Sequence, residues 1–331
     1  MNAVKKFINK FYLPMVLVIV VVFFAISTDS FFSLHNLTNI FVQNAYVVIA
    51  TMGIAIVMIA GGVDMSVSYE MGLVSVVAGK LLQFYTNLPV WLIVILAVLL
   101  GAFLGFGNGI ITIKLKVHPF VATLATMTIY QGIAYVFSGS KTFFGFPETF
   151  TAIGQKYLLG WLPISVILMF VMFLLAYFML KKTYFGRYIY AIGGNEEAAR
   201  LAGINTRFVR VGSFVMASVF IAVAALVLTA RTGSASPSLA TDAVFTCISA
   251  CVLGGISFTG GEGNVANMFL SVMILGVLSN GMQLMGLSIY SQYIMKGIVL
   301  IVAIAFDNYQ KANHMKELAN QTKSTGKAVK D

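Results

Sequence analysis

The chain has 331 residues, 59% of them hydrophobic and only 10% charged. Soluble domains carry about 25% charged residues, so this composition excludes a soluble globular domain and marks a membrane protein. The formal charge of +10 does not point to a nucleic-acid partner, because the basic residues cluster in loops and tails between apolar runs, with no basic stripe carrying interleaved aromatics.

A hydrocarbon core about 30 Å thick needs about 20 helical residues, and on that scale the chain reads as ten apolar spans. They cover residues 11–27, 37–60, 67–85, 89–113, 119–137, 161–180, 208–230, 241–253, 265–285 and 290–306. The first is slightly short, with Pro14 in its first turn, where proline is tolerated. No small-residue cleavage motif follows it, so it reads as a retained span rather than a removable signal. The third carries Glu70 and Lys80. A longer polar loop, 138–160, separates the fifth from the sixth. The eighth is too short to cross unaided and is expected to stop partway or to re-enter. The predicted fold class is all-α: a polytopic membrane protein of about ten transmembrane helices, some short or broken. Its body covers 1–310, and a polar, lysine-rich tail over 311–331 is expected to be solvated and drawn to anionic lipid.

Ten spans put both termini on one side. If that side is the cytoplasm, the inner segments hold Lys5, Lys6, Lys10, Lys114, Lys116, Lys181, Lys182, Arg187, Arg200, Arg207, Arg210 and the lysines of the tail. The outer loops hold only Lys141, Lys156 and Arg231. That asymmetry follows the positive-inside rule and predicts a cytoplasmic location for both termini and for the loop 181–207.

The longest polar island, 187–203, lies in that loop. Gly193 and Gly194 break the chain. Asn195 is then expected to cap a helix by accepting from an unpaired backbone N–H, and Glu196 and Glu197 complement the positive end of its dipole. Ala198 and Ala199 favour helix, Arg200 suits the opposite end, and Gly203 suits the left-handed stop. The helix is about two turns, roughly 10 Å long, and is marginal alone in water. It reads either as a capped connector resting on the protein's own helix ends, or as a rod whose flat alanine face another protein approaches.

Polar residues also fall inside the apolar body. Residues 60–68, Ala-Gly-Gly-Val-Asp-Met-Ser-Val-Ser, join the second and third spans. Asp64 reads equally as a helix cap at the cytoplasmic surface, with Ser66 beside it, or as a functional intramembrane carboxylate. Gln43, Asn44, Asn108, Thr123, Thr126, Thr128, Gln131, Asn280 and Gln283 punctuate other spans. Singly, each suits interhelical hydrogen bonding. As a set, Asn44, Asp64, Ser66, Asn108, Thr126 and Asn280 would line a wet path for a small neutral polyhydroxylated solute. Cys247 and Cys251 stand four apart without a second ligand pair and read as small core residues, and the histidines are scattered, so no metal site is expected. There is no GxxxxGK[ST] phosphate loop and no nucleophile–base pair. No catalytic residue, cofactor or enzymatic activity is therefore expected of this chain.

The island Gly-Arg-Tyr-Ile-Tyr-Ala-Ile-Gly-Gly-Asn-Glu-Glu-Ala-Ala-Arg-Leu-Ala-Gly-Ile, from Gly186 to Ile204, resembles the cytoplasmic coupling helix of bacterial ABC-importer permeases. It is most similar to the ribose-type, monosaccharide branch. Gly-Gly-Val-Asp64-Met-Ser66 resembles that branch's signature, although Ser68-Tyr69 replaces its Gly-Ser and Glu70 follows. Ala230-Arg231, Pro237, Leu253-Gly254-Gly255, Gly260-Gly261 and Gly263 fall at the family spacing, but Val244 and Thr246 stand where many relatives carry Glu and Asp, with Asp242 just before. The likeness runs from Asn36 to Asn308. It implies that the 181–207 loop couples the permease to an ABC ATPase subunit through Gly194, Asn195, Glu196, Glu197, Ala198, Ala199, Arg200 and Gly203. ATP and magnesium would bind that partner. It further implies an extracytoplasmic sugar-binding protein, a second permease copy, identical or related, and a multi-pass location in the bacterial plasma (inner) membrane. Two alternatives stay open: a nucleoside-type ABC permease, and an ion-coupled secondary transporter with Asp64 or Glu70 as the coupling carboxylate.

Overall fold

The computed structural model describes residues 2–85, 87–302 and 304–305; the predicted tail and the end of the tenth predicted span lie outside them. The chain forms α1 (Asn2–Ser27), α2 (Leu34–Ile59), α3 (Val67–Phe84), α4 (Val90–Leu115), α5 (Pro119–Ser138), α6 (Glu148–Gln155) and α7 (Ile164–Lys182). It continues through α8 (Tyr184–Gly194), α9 (Glu196–Leu201), α10 (Thr206–Thr232), α11 (Ala243–Leu253), α12 (Val265–Leu284) and α13 (Ile289–Val302). Each predicted span coincides with one of these helices. Of them, α2, α4, α5, α7, α10 and α12 are long and apolar enough to cross a membrane. α11, with 11 residues, is about 16 Å long and falls short of a core about 30 Å thick.

α2 is the axis of the bundle. From Ala45 to Ile59 every residue but Tyr46 is buried, as expected of a helix that is apolar all round, and α7, α10, α11 and α12 pack around it. Cys247 and Cys251 of α11 lie buried against it, their thiols directed at the carbonyls of Val47 and Thr51. α10 is the second hub and packs on α4. α4 presents Gly101, Gly105 and Gly109 at four-residue spacing. A Cβ at Gly105 would come 2.4 Å from the Phe214 carbonyl oxygen, and one at Gly101 would come 2.6 Å from the Ala222 methyl. Small residues at this spacing let two membrane helices approach backbone to backbone. The opposite face of α4 exposes Trp91, Leu99, Phe103 and Phe106, suited to lipid.

The stretch expected as a polar loop is more ordered than that. It contains β1 (Phe143–Phe144), α6 and β2 (Tyr157–Leu158); β2 pairs with β3 (Leu162–Pro163), and β1 pairs with β4 (Ser234–Ala235) just past α10. α6 rests on the end of α10, where a Cβ at Gly154 would meet the Arg231 backbone nitrogen at 2.2 Å. Gln155 Nε2 donates to the carbonyls of Ala230 and Arg231. Tertiary docking of a short helix leaves little periodic trace in sequence.

Candidate functional site

Two features at one end of the bundle concentrate the polar chemistry. The first is α9 and its joints. Thr183 Oγ1 accepts from Gly186 N at 3.1 Å and starts α8. Asn195, at φ −158° and ψ 101°, breaks the helix, and its Oδ1 accepts from Ala198 N at 2.9 Å. α9 then runs for 6 residues and stops at Gly203, whose φ of +85° is the left-handed conformation that favours glycine. Asn205 Oδ1 accepts from Phe208 N and opens α10. α9 is thus a short rod between two capped breaks.

Its faces differ. Ala199 is buried, so only Ala198 of the alanine pair is available to another surface. Glu196 pairs with Arg210 and ties the rod to α10, while Glu197 pairs with Arg200 within α9 itself. Gly194, Asn195, Glu197, Ala198, Arg200 and Gly203 face outward, and so does Leu201, 80% exposed. The charge and alanine pattern did not single out Leu201. Its signal was an apolar residue in the last turn of an otherwise polar helix. Beside α9, a cleft of about 1050 Å³ is lined by Lys116, His118, Glu196, Arg200, Arg207 and Arg210 among others.

The base of α9 touches the bundle through glycines. The chain at Gly193 lies so close to the end of α2 that a Cβ there would overlap the Ile59 carbonyl oxygen. Gly261 N donates to that same oxygen at 2.9 Å. Gly260 abuts Gly61 and Gly193, and Tyr190 Oη donates to the Gly263 carbonyl at 3.1 Å. The end of α8, the turn after α2 and the α11–α12 loop therefore meet in one joint.

The second feature follows that turn. Asp64 is fully buried, not at the surface as a simple cap would be. It nonetheless makes a cap-like contact, because its Oδ1 accepts from Ser66 N at 2.8 Å and from Ser66 Oγ at 2.6 Å. Asn108 Nδ2 of α4 donates to Ser66 Oγ at 2.9 Å, and Tyr130 Oη of α5 lies 2.9 Å from Asn108 Oδ1. Thr123 Oγ1 clamps the turn from α5, accepting from Met65 N and lying 3.1 Å from the Val63 carbonyl. Thr126, buried one turn from Tyr130, donates to the Thr123 carbonyl. Glu70, in the first turn of α3, is fully buried but makes no hydrogen bond to this chain of contacts.

The structure thus gathers Asp64, Ser66, Asn108 and Thr126, but it places Asn44 and Asn280 elsewhere. Asn44 Nδ2 donates to the Ile40 carbonyl and packs on Gly276 of α12. Asn280 exchanges amide hydrogen bonds with Asn36 at the far end of α2. None of the six lines either cavity described here; they sit in helix–helix interfaces. The second cavity, about 300 Å³, lies between α11 and α13 and is lined by Thr241, Asp242, Phe245, Thr246, Tyr293 and Lys296 among others. Lys296 Nζ pairs with Asp242 Oδ2 at 2.9 Å.

Residues 36–304 match the family described as branched-chain amino acid transport system / permease component. The ribose import permease of Haemophilus influenzae is 36% identical over 297 residues, 88% of this chain and 91% of its own length. That of Bacillus subtilis is 36% identical over 299 residues, 89% and 92% of the two chains. The galactose/methyl galactoside import permease of Escherichia coli is 34% identical over 313 residues, 90% and 93%. No solved structure gives a significant match. With the family matched over most of its length and import permeases aligned nearly end to end, this chain belongs to the membrane permease components of the branched-chain amino acid transport system / permease component family.

Proposed function

We propose that the protein is the membrane-spanning subunit of an ABC importer for a neutral monosaccharide of the ribose or galactose class. Ten helices span the bilayer or enter it, with both termini and α9 on the cytoplasmic side. A second permease copy, ATPase subunits below and an extracytoplasmic binding protein above complete the assembly. The observation that carries this reading is α9 itself: a capped, outward-facing rod, tied by glycine contacts to α2 and to the α11–α12 loop, in a chain whose relatives are named as sugar import permeases. ATP-driven movement of a docked ATPase would push the rod and rock the bundle between two access states. The buried asparagines and threonines position helices. The solute path runs past the cavity between α11 and α13, where Tyr293, Thr241 and Thr246 offer an aromatic face and hydroxyls to a polyol.

The test is reconstitution with the cognate ATPase and binding protein. Ala198→Arg and Leu201→Arg are expected to abolish ATPase co-purification and uptake of ribose or galactose, while membrane insertion is unchanged, because both side chains point outward. Uptake that persists without any ATPase, and follows an ion gradient instead, would sink the proposal.

A further inference from the structure

We infer that Asp242 and Lys296, side by side on the wall of the cavity between α11 and α13, bind neighbouring hydroxyls of a neutral monosaccharide, a reading that rests on the solute path proposed above. Lys296 is the one charged residue of α13, and it lines the cavity together with Asp242. Asp242 stands at the N-cap position of α11, yet its side chain caps no backbone N–H. It is turned instead to Lys296, whose Nζ donates to Asp242 Oδ2 at 2.9 Å. Both side chains are only part-buried, Asp242 keeping 37% of its surface accessible and Lys296 20%. Gly297, next to Lys296, also lines the cavity, and a Cβ there would meet nothing within 4 Å. The wall beside the pair is therefore open space.

An ionisable residue within an apolar helix of a membrane protein is costly and points to function by default. As a tie between helices, a part-exposed ion pair adds little, because solvent screens it. As a binding element, this pair fits one chemistry closely. A carboxylate only accepts and an ammonium only donates, whereas a sugar hydroxyl does both. The bond between them engages one carboxylate oxygen and one ammonium hydrogen. The second oxygen and the other hydrogens can then meet adjacent hydroxyls, through charge-assisted bonds of the stronger kind. As a unit the pair is neutral, so it suits a solute without net charge. Phe245 and Tyr293 add aromatic surface for the C–H face of a sugar ring, and the volume of about 300 Å³ lies at the small end of ligand pockets. A zwitterionic amino acid fits less well. Its two charges would have to break the existing bond to find partners, while hydroxyls bind with the pair intact.

The experiment uses the purified full chain carrying Gly297→Cys, in detergent, and reads the rate of maleimide labelling at that thiol. The native thiols, Cys247 and Cys251, are buried, and the wild-type chain supplies the background. D-Ribose or D-galactose is expected to slow labelling several fold and saturably, and leucine to leave it unchanged. Adding Asp242→Asn or Lys296→Met is expected to abolish the protection without changing the labelling rate in the absence of sugar, and Asp242→Glu, which keeps the carboxylate, to retain it. No protection by either sugar, or protection that survives both Asp242→Asn and Lys296→Met, overturns the site. So does a rate without sugar that changes as much as the protection is lost, because the pair then only holds the helices. Protection by leucine alone gives the cavity to a zwitterion and overturns it too. Sugar import by the wild type in proteoliposomes, with ATPase and binding protein, is measured alongside. Import without protection removes the site and leaves the transport reading standing; protection without import does the reverse. Should Gly297→Cys not fold, Phe245→Cys, also on the cavity wall, carries the same assay.

Discussion

Asn36 and Asn280 exchange two amide hydrogen bonds, at 3.0 and 2.9 Å, and Asn36 Nδ2 also donates to the Phe31 carbonyl. Interhelical bonds in membranes average about 0.6 kcal/mol, so the pair contributes about 1 kcal/mol if only its bonds are counted. Removing one partner costs more, because the buried amide left behind loses its solvation without compensation, a penalty of about 1–3 kcal/mol. Asn280→Leu is therefore expected to lower thermal stability in detergent by more than the bonds alone predict. Asn36→Leu combined with Asn280→Leu is expected to recover much of that loss. A double-mutant cycle on unfolding midpoints measures the coupling; additive losses would mean that the two amides do not act together. From sequence, Asn280 was one polar residue in an apolar run, as consistent with a solute path as with a clamp. Its partner stands 244 positions away, and helical periodicity carries no information about such a pairing. Asp64 was ambiguous for a related reason. Its local contact with Ser66 is legible in an Asp-x-Ser spacing, but its burial depends on α4 and α5 closing over it.

At the level of elements, α9 was the most legible part of the chain because its determinants are local. The Asn195 cap, the acidic first turn and the Gly203 stop all lie within a few residues of one another. Asn195→Ala is expected to destabilise this rod by about 1 kcal/mol. A 6-residue helix has little cooperativity to absorb the loss, so faster amide hydrogen exchange over 196–201 is the expected readout, with exchange in α10 unchanged. The close approach of α4 to α10 was present in the sequence as Gly101, Gly105 and Gly109, yet among 30 glycines the stripe gains meaning only once a partner helix is known. Gly105→Leu is expected to force the helices apart and cost about 1–3 kcal/mol, because the nearest obstacle is the Phe214 carbonyl, 2.4 Å from a Cβ, and backbone cannot rotate out of the way. Gly132→Leu serves as the control, since nothing lies within 4 Å of a Cβ there. Equal Tm changes in the two variants would remove the packing argument. α6 was missed because its docking contacts on Arg231 and the Ala230 carbonyl are remote in sequence.

Across the whole molecule, the coupling role proposed for α9 would act through the glycine joint. α2 has 26 residues, about 39 Å of helix. It is buried along most of that length, clamped by Asn36 and Asn280 at one end and bonded to Gly261 N through Ile59 at the other. In the proposed role, a displacement of α8 and α9 would be delivered to α2, to the turn that carries Asp64, and to the loop between α11 and α12. On that proposal, docking and transmission would rest on different residues and can be separated. Tyr190→Phe removes only the hydroxyl that bonds the Gly263 carbonyl, a loss of about 0.5–1.5 kcal/mol, and leaves the outward face of α9 untouched. It is expected to keep ATPase co-purification and to lower sugar imported per ATP hydrolysed by a few fold in proteoliposomes. Gly260→Ala is expected to be harsher, because its φ of +87° disfavours any side chain and a Cβ would sit 2.5 Å from the Gly61 Cα. Leu201→Arg should fail the other way, losing the ATPase itself. If Tyr190→Phe instead weakens ATPase binding and uptake in parallel, with an unchanged ratio of import to hydrolysis, the joint is part of the docking surface and does not transmit force as a separate link.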